Sequence, residues 1–373
     1  MKYYVIAGER SGDLHASNLI RAIHRHDPQA EVRAWGGEMT QEAGATLVKH
    51  YRDLAFMGFW EVFKNLRTIL GFLSFCKKDL LAYGPDVVIL VDYAGFNMRV
   101  AKFAKAKGLK VFYYISPKVW AWNQSRAYKI KALVDRMFVI FPFEKSFFAR
   151  YNYPVDFVGN PLFDAIAAYH PDPRFLTTHQ LGEKPIVALL PGSRKQEVER
   201  MLELMTSVIP QFPAYQFVIA GVSNLPASLY QRWQQQYQVP VVFDATYDLL
   251  SHACAALVTS GTATLETALF RVPQVVCYQT GTITYTIARS LIKVDYISLV
   301  NLVAEKEVVR ELIQHELNTE NLVAELKKIT ASGTERQRQL DEYEQIRRAL
   351  GEQGASEKAG RLMVEYLKAP PAQ

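Results

Sequence analysis

Two doubly wound α/β lobes followed by C-terminal helices are the fold this sequence predicts, and three observations predict it. The chain has 373 residues, more than one ordinary core holds, so two domains of roughly 150 to 200 residues are expected. Short apolar, β-branched or aromatic runs alternate with helical patterns, as parallel βαβ units do. The alternation pauses once, around Pro171 and Pro173, and then restarts.

The first series of strand-like runs is Tyr3 to Ala7, Val32 to Trp35, Val87 to Val91, Lys110 to Ile115, Met137 to Phe141 and Val155 to Val158. The second is Ile186 to Leu190, Phe217 to Ala220, Val241 to Phe243, Ala256 to Thr259 and Gln274 to Tyr278, with the join between residues 165 and 183. From Glu305 onward the pattern is helical and charged, through Val323 to Ile329 and Gln337 to Leu350, and a last helix around Glu357 to Leu367 stops before Ala369-Pro370-Pro371. The expected division is a first Rossmann-like lobe over 1–170, a second over 171–345, and a tail, 346–373, that is free to return to the first.

Composition narrows the partners. Apolar residues make up 49% and charged residues 21%, a balance that buries a core and argues against disorder. Lys and Arg total 43 against 37 Asp and Glu, a charge of +6, and with a pI near 9.0 this favours an anionic partner. Cys76, Cys254 and Cys277 are odd in number and widely spaced, which suggests neither a disulfide framework nor a zinc site and fits a reducing cytoplasm. The start at Met1 lacks the sections of a signal peptide. No apolar run reaches the length of a membrane span, so membrane contact is expected to be peripheral.

One stretch invites two readings. Phe56-Met57-Gly58-Phe59-Trp60 leads into Val62, Phe63, Leu66, Ile69, Leu70, Phe72, Leu73 and Phe75, interleaved with Lys64, Arg67, Lys77 and Lys78. A wide apolar stripe suits a helix packed on a sheet; with basic residues beside it, it also suits docking on a lipid surface.

Ligands of open parallel sheets sit beyond the carboxyl ends of strands, so the strand-to-helix turns carry the chemistry. Ala7-Gly8-Glu9-Arg10-Ser11-Gly12-Asp13 is a glycine turn in which Ser11 or Asp13 can cap the next helix; it is not a dinucleotide fingerprint. Leu90-Val91-Asp92-Tyr93-Ala94-Gly95-Phe96-Asn97 puts Asp92 at the end of a buried strand, as a general base or a helix cap. Ile115 to Asn123, continuing to Arg126 and Lys129, mixes aromatic and basic groups able to stack on a sugar and hold an anion. Nucleic acid is disfavoured, because no RRM- or OB-type strand pattern accompanies them. Leu190 to Val198 offers Gly192, Ser193 and Arg194 at a helix start, a diphosphate clamp without P-loop spacing. Thr259 to Glu266 brings Gly261 and Thr262 ahead of Glu266, a carboxylate placed to accept from ribose hydroxyls or to form a surface pair.

Seven segments in order, AGERSGD (7–13), LAFMGFWEV (54–62), VDYAGFN (91–97), SPKVWAW (116–122), LPGSR (190–194), SGTATLE (260–266) and DYISLVNL (295–302), resemble the lipid-A-disaccharide synthase family. The similarity spans both lobes. It implies a GT-B type glycosyltransferase that joins UDP-2,3-diacylglucosamine to 2,3-diacylglucosamine 1-phosphate with inversion, giving a β-1,6-linked disaccharide 1-phosphate and UDP, a step of lipid A biosynthesis in Gram-negative bacteria. It further implies Asp92 as the base on the acceptor 6-hydroxyl, with Glu9, Ser11 and Asp13 on the acceptor side. On the donor side it places Arg194, Ser193, Gly261, Thr262, Glu266, Asn301 and Gln314. Membrane docking falls to Phe56, Met57, Phe59, Trp60 and Phe63, at the cytoplasmic face of the inner membrane. No cofactor or metal is expected, as no Asp-x-Asp motif ends a strand, and a homodimer exchanging C-terminal segments is open. The chain departs from the family pattern at Asn160, where a histidine is common, and at Arg10, where a small hydroxyl residue is common. A related sugar-nucleotide enzyme such as a UDP-N-acetylglucosamine 2-epimerase, and a binding module without turnover, are the alternatives.

Overall fold

The computed structural model describes residues 1–54, 66–281, 285, 286, 289 and 294–369. It comprises two units, Met1–Ala167 with Leu350–Gln373, and Ala168–Ala349. In the first, the strands are β1 (Lys2–Ala7), β2 (Glu31–Gly36), β3 (Thr46–His50), β4 (Val87–Val91), β5 (Lys110–Tyr114), β6 (Arg136–Val139) and β7 (Asp156–Phe157). All pair in parallel, in the order β3-β2-β1-β4-β5-β6-β7. All five residues of β4 and residues 3–7 of β1 are buried, as strands covered by helices on both faces must be. The tyrosines in β1 tolerate this because each hydroxyl has an acceptor: Tyr3 donates to Asp27 at 3.0 Å and Tyr4 to Asp79 at 2.7 Å.

β3 was not expected from the sequence. It is an edge strand with no fully buried residue, and its apolar content is only Leu47 and Val48, too little for a pattern-based assignment.

The helix Ala355–Lys368 belongs to this first unit. Its Ala359, Met363 and Val364 join Tyr3, Val5, Ala16, Leu19 and Ile23 in one core. Glu357 at its start accepts from Arg25 Nε at 2.7 Å and meets His26 Nε2 at 2.6 Å. Gly360 sets the approach of this helix to Arg10–His26: a Cβ there would lie 2.6 Å from Ala22 Cβ and 3.1 Å from backbone atoms of Ala22 and Ile23. Gly360→Val is therefore expected to destabilise the first unit by about 1–3 kcal/mol through overpacking, read as a lower urea midpoint with an unchanged slope. An unchanged midpoint would mean that the two helices separate freely.

The second unit holds β8 (Ile186–Leu190), β9 (Gln216–Gly221), β10 (Val241–Phe243), β11 (Ala253–Thr259), β12 (Gln274–Tyr278) and β13 (Glu311–Ile313), in the order β10-β9-β8-β11-β12-β13. Two apolar clusters cover its faces, one around Val187, Leu189, Met201 and Leu257, the other around Ala188, Val218, Leu249 and Val258. The alternation of β8 residues between the two clusters is the period-2 geometry of a strand. Here the expectation of a helical pattern from Glu305 onward is corrected. Glu311–Ile313 pairs with Val276–Tyr278, and helices resume only at Thr319–Thr330, Thr334–Leu350 and Ala355–Lys368.

Phe56, Met57, Phe59, Trp60 and Phe63 lie outside the described residues. The helix that follows, Leu66–Tyr83, buries Leu73, Cys76 and Leu80 while exposing Leu70, Phe75 and Leu81. Among the described residues no helix is long and apolar enough to cross a membrane.

Candidate active site

In each sheet the strand order reverses at one place, between β1 and β4 in the first unit and between β8 and β11 in the second. These topological switch points open crevices at the carboxyl ends of the strands, where ligands of such sheets bind. The loops after all four strands are ones the sequence singled out, 7–13 and 91–97 in the first unit, 190–194 and 259–262 in the second.

In the first unit the two loops interlock through Gly8. A Cβ at this position would fall 2.2 Å from Tyr93 Cδ1, so only glycine lets the Tyr93 ring lie against the β1 turn. Asp92 and Tyr93 both occupy the left-handed region, at φ 45° and 47°, an arrangement that costs on the order of 1–3 kcal/mol per residue and persists only when its surroundings hold it. They do. Asp92 N donates to Tyr114 O at 3.1 Å, while its carbonyl accepts from Asn97 Nδ2 at 2.8 Å and from the Tyr113 hydroxyl at 2.5 Å. Asn97 also donates to Val91 O at 3.2 Å. These bonds tie the Asp92 backbone on both sides and place its half-buried side chain at the carboxyl end of β4.

Burial pushes the Asp92 carboxyl above its ordinary range, and Lys118 and the Tyr93 amide pull against it. A partly desolvated carboxylate with a raised affinity for protons is suited to general-base work. Glu9 caps the helix Arg10–His26 without a side-chain cap bond, and burial, helped by the charge of Glu9, raises the Tyr93 hydroxyl. Ser11 and Arg10 are exposed in the first turn of that helix.

Lys118 stands in the loop after β5, and a buried carboxylate supports that loop. Glu144 accepts from the amides of Phe141 (2.9 Å) and Ile140 (3.1 Å) and binds the Ser116 hydroxyl. Burial pushes its carboxyl up to about 7, against the pull of those partners and of Trp120. A carboxyl with a folded pKa above its unfolded value of 4.5 contributes stability that is whole below the unfolded value and lost as pH rises through about 7. Wild-type Tm should therefore fall more steeply than that of Glu144→Gln between about pH 5 and 8. A wild-type-minus-variant difference that stays flat across this range would show that Glu144 ionises as an ordinary carboxyl.

In the second unit, Gly192 takes φ +104° and turns the chain into the helix Lys195–Thr206, with Arg194 as its N-cap. The Arg194 side chain is 73% exposed, and its Nη1 lies 3.2 Å from Glu197 Oε1; Ser193 beside it is exposed. Across the switch point, Gly261 begins the helix Thr262–Leu269, and a Cβ there would meet nothing within 4 Å. Two helix starts, one of them at the exposed Arg194 guanidinium, thus present the unpaired N–H groups of a first turn, a common provision for a phosphate. Glu266 is not in a surface pair: it accepts from the Tyr247 hydroxyl at 2.9 Å, and burial raises its carboxyl. Its remaining lone pairs suit the two hydroxyls of a ribose.

Three residues assigned to ligands from the sequence are engaged elsewhere. Asp13 is 1% exposed. Its Oδ1 accepts from Gly37 N at 2.6 Å and Thr40 N at 3.1 Å, so it caps the helix Glu38–Glu42 and not its own helix. Asn301 is fully buried. Its Nδ2 donates to Val309 O (2.8 Å) and Glu311 Oε1 (2.9 Å), and its Oδ1 accepts from Val308 N (2.8 Å) and Val309 N (2.9 Å). That exhausts a carboxamide's capacity, so the Asn301 side chain shapes the loop to β13. Gln314 clasps the backbone of Thr280, accepting from its N at 2.6 Å and donating to its O at 3.1 Å. Asn160 is buried with Oδ1 accepting from Leu162 N at 3.0 Å. Sequence reasoning missed Glu311, a buried carboxylate that accepts from Ile297 N and Ser298 N at 3.0 and 2.9 Å. A lone Glu in a charged stretch gives no signal of such a role.

Two parallel-sheet units, one with a half-buried aspartate beyond its switch point and the other with an exposed arginine at a helix start and a half-buried glutamate, have the GT-B type fold. Solved structures with this fold include the UDP-GlcNAc 2-epimerase of Neisseria meningitidis bound to UDP-GlcNAc (TM-score 0.68, 14% identity, 98% of this chain and 99% of that one). The glycotransferase of kitacinnamycin is similar to the same degree (TM-score 0.66, 14% identity, 98% and 99%). A sequence model described as lipid-A-disaccharide synthetase matches residues 3–365. The lipid-A-disaccharide synthase of Syntrophus aciditrophicus is 39% identical over 98% of this chain and 97% of its own length, and that of Trichlorobacter lovleyi 36% identical over 98% and 97%. The chain belongs to the lipid-A-disaccharide synthase family, and it is a glycosyltransferase of lipid A biosynthesis.

Proposed function

We propose that the protein transfers 2,3-diacylglucosamine from UDP-2,3-diacylglucosamine to the 6-hydroxyl of 2,3-diacylglucosamine 1-phosphate, with inversion. The observation that supports this reading is the half-buried Asp92 carboxylate at the switch point, on a left-handed turn whose backbone Asn97 and Tyr113 hold. It takes the proton of the 6-hydroxyl. The freed oxygen forms its bond to the donor's anomeric carbon from the face opposite the diphosphate, the bond to the diphosphate breaks, and UDP departs with the electron pair. Arg194, Ser193 and the start of Lys195–Thr206 take up the charge on the leaving group. Gly261 and Thr262 leave room for the nucleotide, Glu266 receives the ribose, and Glu9 and Ser11 stand on the acceptor side. Because both substrates carry acyl chains, we place membrane contact at Phe56, Met57, Phe59, Trp60 and Phe63, on the cytoplasmic face of the inner membrane.

The test is a two-substrate assay in detergent that follows UDP and disaccharide together. Disaccharide formed in step with UDP supports the reading. The fold neighbours favour one competitor, epimerase chemistry on the sugar nucleotide; UDP released without disaccharide would favour it and overturn the transferase assignment.

A further inference from the structure

A cavity of about 520 Å³ lies in the first unit beside the Asp92 turn. Its wall carries five cations, Lys77, Arg99, Lys102, Arg126 and Lys129, and no carboxylate among the described residues that line it. Arg99, Lys102 and Lys129 form no ion pair or hydrogen bond among the described residues. Several other cations of this unit are matched, among them Arg25 with Glu357, Arg33 with Asp79 and Lys105 with Asp135. The like charges of Arg99, Lys102 and Lys129 repel one another, and their arrangement becomes favourable when an anion enters. The start of the helix Ala94–Ala106 opens into the same space through Ala94 and Gly95, and its dipole adds to the attraction.

The rest of the lining is apolar: Leu73, Met98, Pro117, Val119 and Ile130. A phosphate alone needs neither such a wall nor such a volume, which lies in the range that holds a whole small ligand. Position completes the argument. Ala94 and Gly95 follow Asp92 by two and three residues, and Pro117 precedes Lys118, the cation beside the Asp92 carboxylate. On a glucosamine 1-phosphate, the phosphate on C1 and the methylene that carries the 6-hydroxyl on C5 flank the ring oxygen, so a phosphate anchor beside Asp92 keeps that hydroxyl within reach of the carboxylate.

We infer that this cavity binds the phosphate of the acylated acceptor, with Arg99, Lys102 and Lys129 as its principal contacts. The inference rests on the transferase reading above and adds a site to it. Arg99→Gln with Lys129→Gln, both at exposed positions, tests it. The double variant should raise the KM for 2,3-diacylglucosamine 1-phosphate by about tenfold or more, as expected for the loss of two charge-assisted contacts, with kcat and the donor KM unchanged. With the dephosphorylated sugar, as acceptor or as competitor, variant and wild type should behave alike.

An acceptor KM unchanged in the double variant would overturn the assignment. So would an equal loss with the dephosphorylated sugar. Sedimentation with phosphatidylglycerol vesicles separates the other source of lipid phosphate. Vesicle binding should survive in the double variant and fall in Phe59→Ser with Trp60→Ser; vesicle binding lost in the double variant with its acceptor KM intact would make the cavity a membrane-lipid site and overturn the proposal. Wild-type protein that forms no disaccharide would remove the transferase reading instead. The cavity is then judged by phosphorus NMR line broadening of glucosamine 1-phosphate, which supports it if wild type broadens the signal and the double variant does not, and overturns it if the two are equal.

Discussion

Replacing Asp92 with Asn is expected to lower kcat by about 10²- to 10⁴-fold, the range supplied by a positioned base. Asn keeps the size of the side chain and is among the few residues at ease in the left-handed region, so the turn that Asn97 and Tyr113 hold through the Asp92 carbonyl should persist. UDP affinity and Tm should therefore stay near wild-type values, and the loss should fall on kcat. The pH profile gives a second reading. Because burial holds the Asp92 carboxyl above its ordinary range, the ionised, active form is lost as pH falls through that raised value, and kcat/KM should show an acid limb above the usual carboxylate range. Lys118→Met removes the opposing cation and should move the limb higher still, while Asp92→Asn should abolish it. Near-full turnover in Asp92→Asn would take the residue out of this role.

Arg194→Ala is the second large effect. A guanidinium that meets the departing diphosphate does more in the transition state than in the ground state, and removing one such donor costs about 10²- to 10³-fold in kcat. Arg194→Lys should recover part of this, because an ammonium keeps the charge and loses the bidentate fork. Stability should hardly change, since the pair with Glu197 is exposed and such pairs contribute little. Steady-state kinetics over both substrates check this: a rise in the donor KM with kcat intact would make Arg194 a ground-state binding group only.

The strands that the sequence shows plainly are those buried on both faces. β1, β4, β5, β8, β11 and β12 read as apolar runs because helices cover both sides of them. The edge strands β3 and β13 escaped, because an edge needs few apolar residues and Glu311–Ile313 is only three residues long. The functional loops were legible for a related reason. Asp92 follows β4 directly, Arg194 caps the helix after β8 and Glu266 lies within the helix after β11, so their places beyond the sheet follow from chain order alone.

Asp13 and Asn301 show where that logic stops. Both are polar residues inside functional motifs, and from sequence either could face a ligand. What each does depends on groups far along the chain: the amides of Gly37 and Thr40 for Asp13, and the strand residue Glu311 for Asn301. The sequence by itself determined the two α/β units, the four switch-point loops and the residue types at their tips, because burial patterns and turn chemistry are local. Only the tertiary structure decided that Ala355–Lys368 completes the first core, that the Asp92 turn is locked by Asn97 and Tyr113, and that scattered cations from three helices line one cavity. Those features arise from contacts between segments tens to hundreds of residues apart, and no local pattern of side chains encodes which segments will meet.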